Sequence, residues 1–574
     1  MFTLKNLRKQ ALVLAMAGAV GIAGSAQAAV AHSGPQLVMV GHATPLSRGD
    51  VVHGALPLSS TVHITVALKL RNEAQLKAYN AKPHQPMSRA QLAANHLPTS
   101  AQAQAVAAFL KSAGFTHVKI SASRMLVNAD ASAAVASRAF HTSFAQVRTH
   151  DGRLAFANTA PLQIPAALSG SVQAVLGAQT VHKARFYAVR PHALSGGISG
   201  HFTPEFADIY GASGLAPASS VDVAVFGWGS MEQSVNDLSQ FESDFGLTPT
   251  NVNVVCTDVG SSIDDQTGEI IDGGTTTIGD ATCGGNYDQG SIEWSMDSQT
   301  MVGMTGGVNS LTFYAAPSGY NTYITNTLDE IVYPSVGEPL AAVVNQSFGE
   351  CERFEDSNQG GDGSAQAGDE LYAIGVAQGQ TFSASTGDNG SDECAFQGWT
   401  PEPDSASYPA SSPYNVAVSG TTLNASSTTW SRETMWVDSG GSPSSFETAP
   451  SWQTALTYGT FKGMRGPDVA FDGNPNTGAI YYAGVYGGYI QVGGTSLSSP
   501  IFVGAWARLI ANGDVDPMTP AGQQLYAMPA SYFHDITAGN NGGYIARRGW
   551  DWASGRGSLN LSNFSAQVPA AVIK

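Results

Sequence analysis

Residues 311–345 contain three runs that decide the fold. Leu311-Thr312-Phe313-Tyr314-Ala315 is short, apolar and rich in aromatics. Tyr323 to Val332 (Tyr-Ile-Thr-Asn-Thr-Leu-Asp-Glu-Ile-Val) has helical apolar spacing, and Leu340-Ala341-Ala342-Val343-Val344-Asn345 is again continuous and apolar. Continuous apolar runs suit strands buried on both faces, and a helix between two of them implies a parallel pair. The same pattern extends outward. Val221 to Phe226 reads as a strand and Met231 to Phe245 as a helix, with Ser230 and Gln233 spaced as a capping box. Glu370 to Gln378 reads as a helix leading into strand Thr381 to Ser385. Residues 196–574 are therefore expected to be an α/β domain, a parallel sheet flanked by helices.

From residue 29 to about 190 the chain is rich in Ala, His and Lys/Arg. Val62–Leu70 and His117–Ser123 read as strands. Ser100–Ser112 reads as a helix with Ser100 as its cap, and Asp130–Phe140 as a second helix. Phe144–Asn158 reads as a hairpin turning at Asp151-Gly152. This predicts a compact α+β unit. Arg190 to Gly200 (Arg-Pro-His-Ala-Leu-Ser-Gly-Gly-Ile-Ser-Gly) breaks the pattern, as an exposed boundary and cleavage region would. No internal repeat of fixed period is visible.

The N-terminus has the form of a secretory signal over residues 1–28. Lys5, Arg8 and Lys9 precede an apolar run from Ala11 to Gly24, and Ala26-Gln27-Ala28 supplies small residues for cleavage. No other stretch is long and apolar enough to span a bilayer. Charge divides the 574-residue chain: residues 1–195 carry +14, residues 196–574 carry −31, and no Lys or Arg occurs between Gly196 and Arg353. Such a surface repels phosphate backbones, which excludes nucleic acid as a partner of the second half. Cys256, Cys283, Cys351 and Cys394 all lie in that half. In an exported protein they suggest two disulfides, with three pairings open.

Eleven of the thirteen His fall before residue 196, leaving His201 and His534, neither in a motif that positions a catalytic imidazole. Carboxyl groups are therefore the candidates for moving protons. Glu293 and Asp297 stand four apart in Glu-Trp-Ser-Met-Asp and share one face of a helix, where mutual repulsion can raise a pKa. Ser496, in Gly493-Gly494-Thr495-Ser496 before the apolar run Ile501–Ile510, would sit at a helix start, beside unpaired N–H groups. Asp388, in Ser385-Thr386-Gly387-Asp388-Asn389-Gly390, follows an apolar strand, where α/β sheets build their sites. Asp535-Ile536 and Arg547-Arg548-Gly549-Trp550-Asp551 offer carboxylates and Gly-rich loop carbonyls suited to a hard cation.

Together these segments resemble the sedolisins, the serine-carboxyl peptidases, over nearly the whole chain. The resemblance implies a subtilisin-like α/β catalytic domain (196–574) preceded by an α+β, ferredoxin-like activation prodomain (29–195). It places the nucleophile at Ser496, with Pro500 four residues later, the base and its supporting acid at Glu293 and Asp297, and the oxyanion acid at Asp388. It also implies one structural Ca2+ on Asp535, Ile536, Arg547, Gly549 and Asp551, with Arg547 where many relatives have Gly. Thr386 replaces the usual Ser. The His-Gly-Thr-His segment of ordinary subtilisins is absent, which sets that rival aside. Because Cys351 and Cys394 flank the Asp388 loop, their pairing is favoured, leaving Cys256 with Cys283.

The expected protein is a secreted, monomeric endopeptidase acting on proteins and peptides in acid, near about pH 3 to 5, because an ordinary carboxyl titrates near 4. It is expected to be made as a zymogen whose prodomain inhibits it and is self-cut between about Arg190 and Gly200. Asp388→Asn is expected to cripple turnover. Opposite charge on the two halves would hold them together near neutral pH and release them in acid. A calcium-stabilised secreted adhesin and a carboxylate-pair glycosidase are the alternatives from other classes; acid digestion of casein that disappears in Ser496→Ala separates the peptidase from both.

Overall fold

The computed structural model describes residues 36–187, 189–192, 199–257, 261–263, 270–272, 276–283, 290–335, 340–398 and 405–565. The expected signal peptide (1–28) and residues 193–198 of the expected cleavage stretch lie outside them. Among the described residues no helix is long and apolar enough to cross a membrane.

The basic half is built on a four-stranded antiparallel sheet, ordered Thr116–Ile120, Leu126–Ser132, Thr61–Leu68 and Val172–Leu176. Helix Ser100–Ala113 lies between the first two strands in sequence and helix Ala133–Ala139 between the last two. This is the split β-α-β arrangement that the ferredoxin-like expectation requires. The hairpin forms as expected from Phe144–Arg148 and Leu154–Asn158. Three local expectations are corrected. Residues 126–132 form a strand, because Val127, Ala129 and Ala131 alternate with Asn128, Asp130 and Ser132; the helix starts only at Ala133. Helix Ser100–Ala113 is capped by Thr99, in a capping box with Gln102, and not by Ser100. Ser230 and Gln233 form no box: Ser230 Oγ accepts the Glu232 N–H at 3.3 Å, and Gln233 donates to Asp237 at 2.7 Å.

In the acidic half the chain runs through β1 (Asp222–Trp228), α1 (Glu232–Phe245), β2 (Val252–Cys256), α2 (Ser291–Thr305), β3 (Ser310–Ala316), α3 (Asn321–Val332) and β4 (Val343–Gln346). It continues through α4 (Ser364–Ala377), β5 (Thr381–Ser385), β6 (Asn415–Ser426), β7 (Val469–Asp472) and α5 (Thr495–Ala511). The seven strands are parallel in the order β2-β3-β1-β4-β5-β6-β7, with short antiparallel strands Thr277–Ile278 and Thr429–Met435 added at β2 and β6. Every residue of β3 is buried, as a strand covered on both faces demands. Helix α2 packs between α1 and α5, and α3 packs on α4. Helix α4 starts six residues before the expected Glu370. The strand order reverses around β1, so the loops leaving β1 and β4 part there and open a crevice at the carboxyl ends of the strands.

The two halves form one compact unit from Leu37 onward. The sheet of the basic half presents Thr65 and Asn128 to α3, where Thr65 exchanges a 2.7 Å hydrogen bond with Thr322 and Asn128 donates to Asn326 at 2.7 Å. Ser123 donates to Asp329 at 2.5 Å, and the Leu70 N–H donates to Glu370 on α4 at 3.0 Å. The disulfides are Cys256–Cys283 and Cys351–Cys394, the favoured pairing.

Candidate active site

Helix α2 brings Glu293 and Asp297 one turn apart on a helix almost wholly buried; both carboxyls are fully excluded from solvent. Ser496 lies in the first turn of α5, which packs directly on α2. Its Oγ donates to the Ser347 carbonyl at 3.3 Å. Ser347, just past β4, donates through its own hydroxyl to Asp297 Oδ1 at 2.7 Å. Burial pushes the Asp297 carboxyl well above the usual range, and the hydrogen bonds from Ser347 and Asn345 only partly offset it. The structure thus brings α2, α5 and the loop after β4 to one point.

Asp388 joins them from the loop after β5. Its Oδ1 accepts the Thr495 N–H at 2.7 Å and the Thr495 hydroxyl at 2.9 Å, so the acid caps the start of α5 one residue before Ser496. Its Oδ2 is buried and takes no hydrogen bond. Burial pushes this carboxyl well above the usual range; the Thr495 N–H opposes the shift and Glu393 adds to it. A neutral acid in such a place has one O–H to give and an oxygen facing nothing else.

Tyr187, the last residue described before position 188, fills the remaining space. Arg185–Phe186 pairs antiparallel with Phe348–Cys351, and Val189–His192 pairs antiparallel with Gly488–Gly493. Between them the Tyr187 N–H donates to Ser496 Oγ at 3.1 Å. A Cβ built on Gly494, whose φ is +123°, would lie 1.9 Å from the Tyr187 carbonyl oxygen and 2.6 Å from Asp388 Oδ2. Only glycine lets both oxygens crowd that spot. The buried Tyr187 phenol exchanges a 2.5 Å hydrogen bond with Ser407, over Gly349, where any side chain would collide with both hydroxyls. Phe186 sits against the Trp228 and Trp294 rings.

Three residues at this point, Ser347, Tyr187 and Ser407, were absent from the sequence-based set. Ser347 had a readable signal: it follows an apolar strand, as Asp388 does. Tyr187 and Ser407 had none, because only long-range strand pairing brings them in.

The residues expected to hold calcium lie in one loop. The Gly549 N–H donates to both oxygens of the exposed Asp535, at 3.1 and 3.0 Å. Asp551 is buried and accepts from the N–H groups of Arg547, Ala553 and Ser554 and from the Ser554 hydroxyl. Ile536 packs on Met435, Ala546 and Ala553, and the Arg547 guanidinium lies 5.7 Å from the Tyr458 ring centre. Among the described residues no three His, Cys, Asp or Glu side chains converge to hold a metal.

Residues 49–181 match the family model described as pro-kumamolisin, activation domain, and residues 266–543 match the subtilase family. The chain is 38% identical to sedolisin of Pseudomonas sp. (strain 101), covering 89% of this chain and 88% of that protein. It is 34% identical to xanthomonalisin of Xanthomonas sp. (strain T-22), covering 90% of this chain and 66% of that one. The solved structure of Pseudomonas sedolisin, a serine-carboxyl proteinase complexed with two molecules of pseudo-iodotyrostatin, aligns at 36% identity and a TM-score of 0.55, over 65% of this chain and 98% of that chain. With an activation domain ahead of a subtilase domain, and a serine and buried carboxyls at the carboxyl ends of its strands, the chain belongs to the sedolisin family and is a serine-carboxyl peptidase of sedolisin type.

Proposed function

We propose that the protein is a secreted endopeptidase, active in acid and made as a zymogen that cuts its own linker after Tyr187. One observation carries this reading: the Tyr187 main chain lies on Ser496 Oγ, with the unbonded Asp388 oxygen at the same glycine. Ser496 Oγ adds to the Tyr187 carbonyl carbon and Glu293 takes the hydroxyl proton. The carbonyl electron pair moves onto oxygen, to which protonated Asp388 donates. Collapse expels the amine of residue 188 with the proton that Glu293 returns, and water then hydrolyses the ester on Ser496. Asp297 orients Glu293 throughout. Ionised Asp388 can donate nothing, so activity is lost as pH rises through its raised pKa.

This places the first cut three residues ahead of the Arg190–Gly200 stretch and leaves that stretch to later trimming. Until then the prodomain blocks the cleft with its own chain, and protein and peptide substrates enter only after its release. Export rests on the form of residues 1–28.

The calcium reading rests on donor chemistry. Two carboxylates (Asp535, Asp551) and three main-chain carbonyls (Ile536, Arg547, Gly549) make an all-oxygen set, which fits a hard cation. The ion would neutralise the paired acids and clamp the ends of the 535–551 loop; it takes no part in the chemistry.

The test is a pH 3 to 7 incubation of purified precursor, wild type beside Ser496→Ala, read by gel and intact mass. Wild type alone should shorten, in acid, with a first product beginning at Ala188, and should then digest casein. No shortening and no casein digestion at any pH would sink the reading.

A further inference from the structure

The hydroxyl of Ser347 belongs to no motif of the reaction, yet it is buried between two of its groups. Its oxygen lies 2.7 Å from Asp297 Oδ1 and 3.2 Å from the Ser496 carbonyl oxygen, and its one proton can serve either. Asn345 Nδ2 donates to it at 2.9 Å. The orientation of that amide is fixed in turn, because Asn345 Oδ1 accepts from Ser499 Oγ at 2.7 Å.

The Ser496 carbonyl is available for a structural reason. In α5 its helical donor would be the N–H four residues on, but that residue is Pro500, buried inside the helix and lacking an N–H. The proline that marks the nucleophile segment therefore leaves the nucleophile's own carbonyl open to Ser347.

We propose that Ser347 is a positioning residue of the peptidase: its hydroxyl ties the Asp297 carboxyl to the main chain of Ser496, and Pro500 keeps the receiving carbonyl free. A serine hydroxyl has one proton and two lone pairs. Asn345 occupies one lone pair, so the proton and the second lone pair serve Asp297 and Ser496. With Oδ1 bare, Ser347 donates to Asp297. With the proton on Oδ1, Asp297 donates to Ser347, which turns its own proton to the Ser496 carbonyl. The placement of the acid's proton is thereby linked to the turn that carries the nucleophile.

The inference rests on the peptidase reading, and the experiment separates the two. Precursor variants are activated in acid and assayed on a peptide substrate, with wild type and Ser496→Ala deciding the reading itself. Ser347→Ala should lower kcat roughly ten- to a hundredfold, less than the 10²- to 10⁴-fold of a group that itself transfers the proton, and leave KM within about twofold. Ser347→Thr, which keeps the hydroxyl, should recover most of the loss. In an Asp297→Asn background Ser347→Ala should cost less than about threefold more, because the two groups act as one unit. Pro500→Ala, which restores an N–H for the Ser496 carbonyl, should lower kcat in the Ser347 protein and change nothing further in Ser347→Ala. Wild-type kcat in Ser347→Ala, or an equal loss in both Asp297 backgrounds, overturns the proposal. If Ser347→Ala does not fold, Ser347→Cys keeps the volume while weakening the donor, and a wild-type kcat in it overturns the proposal equally. Failure of both to fold, beside a folded Ser347→Thr, makes Ser347 a packing residue and overturns it too.

Discussion

Asp388 presents two oxygens in different states. Thr495 supplies two donors to Oδ1, whereas Oδ2 is buried with no hydrogen-bond partner. That asymmetry revises the sequence-based expectation that Asp388→Asn cripples turnover. Thr495 requires an acceptor at the Oδ1 position, which an asparagine fills with its carbonyl oxygen, turning the NH2 toward the oxyanion. The variant keeps a donor, and one that does not titrate. Asp388→Ala should lose about 10² to 10³ in kcat, the usual cost of an oxyanion donor. Asp388→Asn should lose far less and stay active to higher pH than wild type, because the protein's own carboxyl must be protonated to donate. A pH profile of kcat for both variants checks this; equal losses would remove donation as the role of Asp388. Because the shortage of histidine left few ways to move a proton, Glu293, Asp297, Asp388 and Ser496 were singled out in the sequence. Ser347 and Tyr187 were not: their contribution depends on where one hydroxyl and one peptide group lie in the fold.

At the scale of elements, Cys351–Cys394 joins the segment after Ser347 to the segment after Asp388, and so fastens the loops leaving β4 and β5. Cys256–Cys283 sits at the far edge of the sheet, where Thr277–Ile278 pairs with β2. The closed loops are similar, with sequence separations of 43 and 27 residues. A chain-entropy argument therefore assigns each bond about 4 kcal/mol. Replacing either pair by serine should cost comparable stability in denaturant titration. Replacing the 351–394 pair should also lower kcat under conditions where the protein remains folded; equal activity in the two variants would show that the loops hold their places without the bond. The strands of the acidic half were readable because burial on both faces makes them continuous and apolar, as in β1 and β3. Residues 130–132, the end of the prodomain strand at 126–132, were misread as the start of a helix, because the strand's polar residues are buried. Asn128 bonds to α3, and Asp130 is held by His63 and His117 at 2.7 and 2.8 Å, so an alternation that signals one exposed face hid a buried one.

The whole molecule is loaded with buried carboxyls, and burial is the leading cause of each upward shift among them. Asp369 is pushed up to about 6, Asp329, Glu352 and Glu393 to about 7, and Glu350, Glu370 and Asp472 to about 8. Glu447 reaches about 9. A carboxyl whose folded pKa lies above its unfolded value near 4 stabilises the protein fully below pH 4. That contribution is lost as pH rises through the folded value, here between about 6 and 9. His182 and His534, pushed down to about 4 by burial, act the other way, losing their contribution as pH falls from 6.5 towards 4. The carboxyls outnumber them, so the fold should be firmest in acid and weaken towards alkaline pH, the reverse of ordinary acid denaturation. Asp329 and Glu370 carry the argument to the prodomain, because their partners are Ser123 and the Leu70 N–H. Exposed by dissociation, both would return towards 4 and release protons, so acid tightens these contacts even as it weakens the long-range attraction between the prodomain, +11 without the signal's Lys5, Arg8 and Lys9, and the −31 half. On the proposed reading, acid would then start activation by permitting the cut after Tyr187 rather than by loosening the complex. Calorimetry on the Ser496→Ala precursor, which cannot cut itself, should show Tm falling steadily from pH 4 to pH 9. Asp329→Asn with Glu370→Gln should flatten that slope. A Tm that climbs towards neutral pH would mean that these carboxyls are ionised in the folded protein, and release by lost attraction would again be the better account of activation.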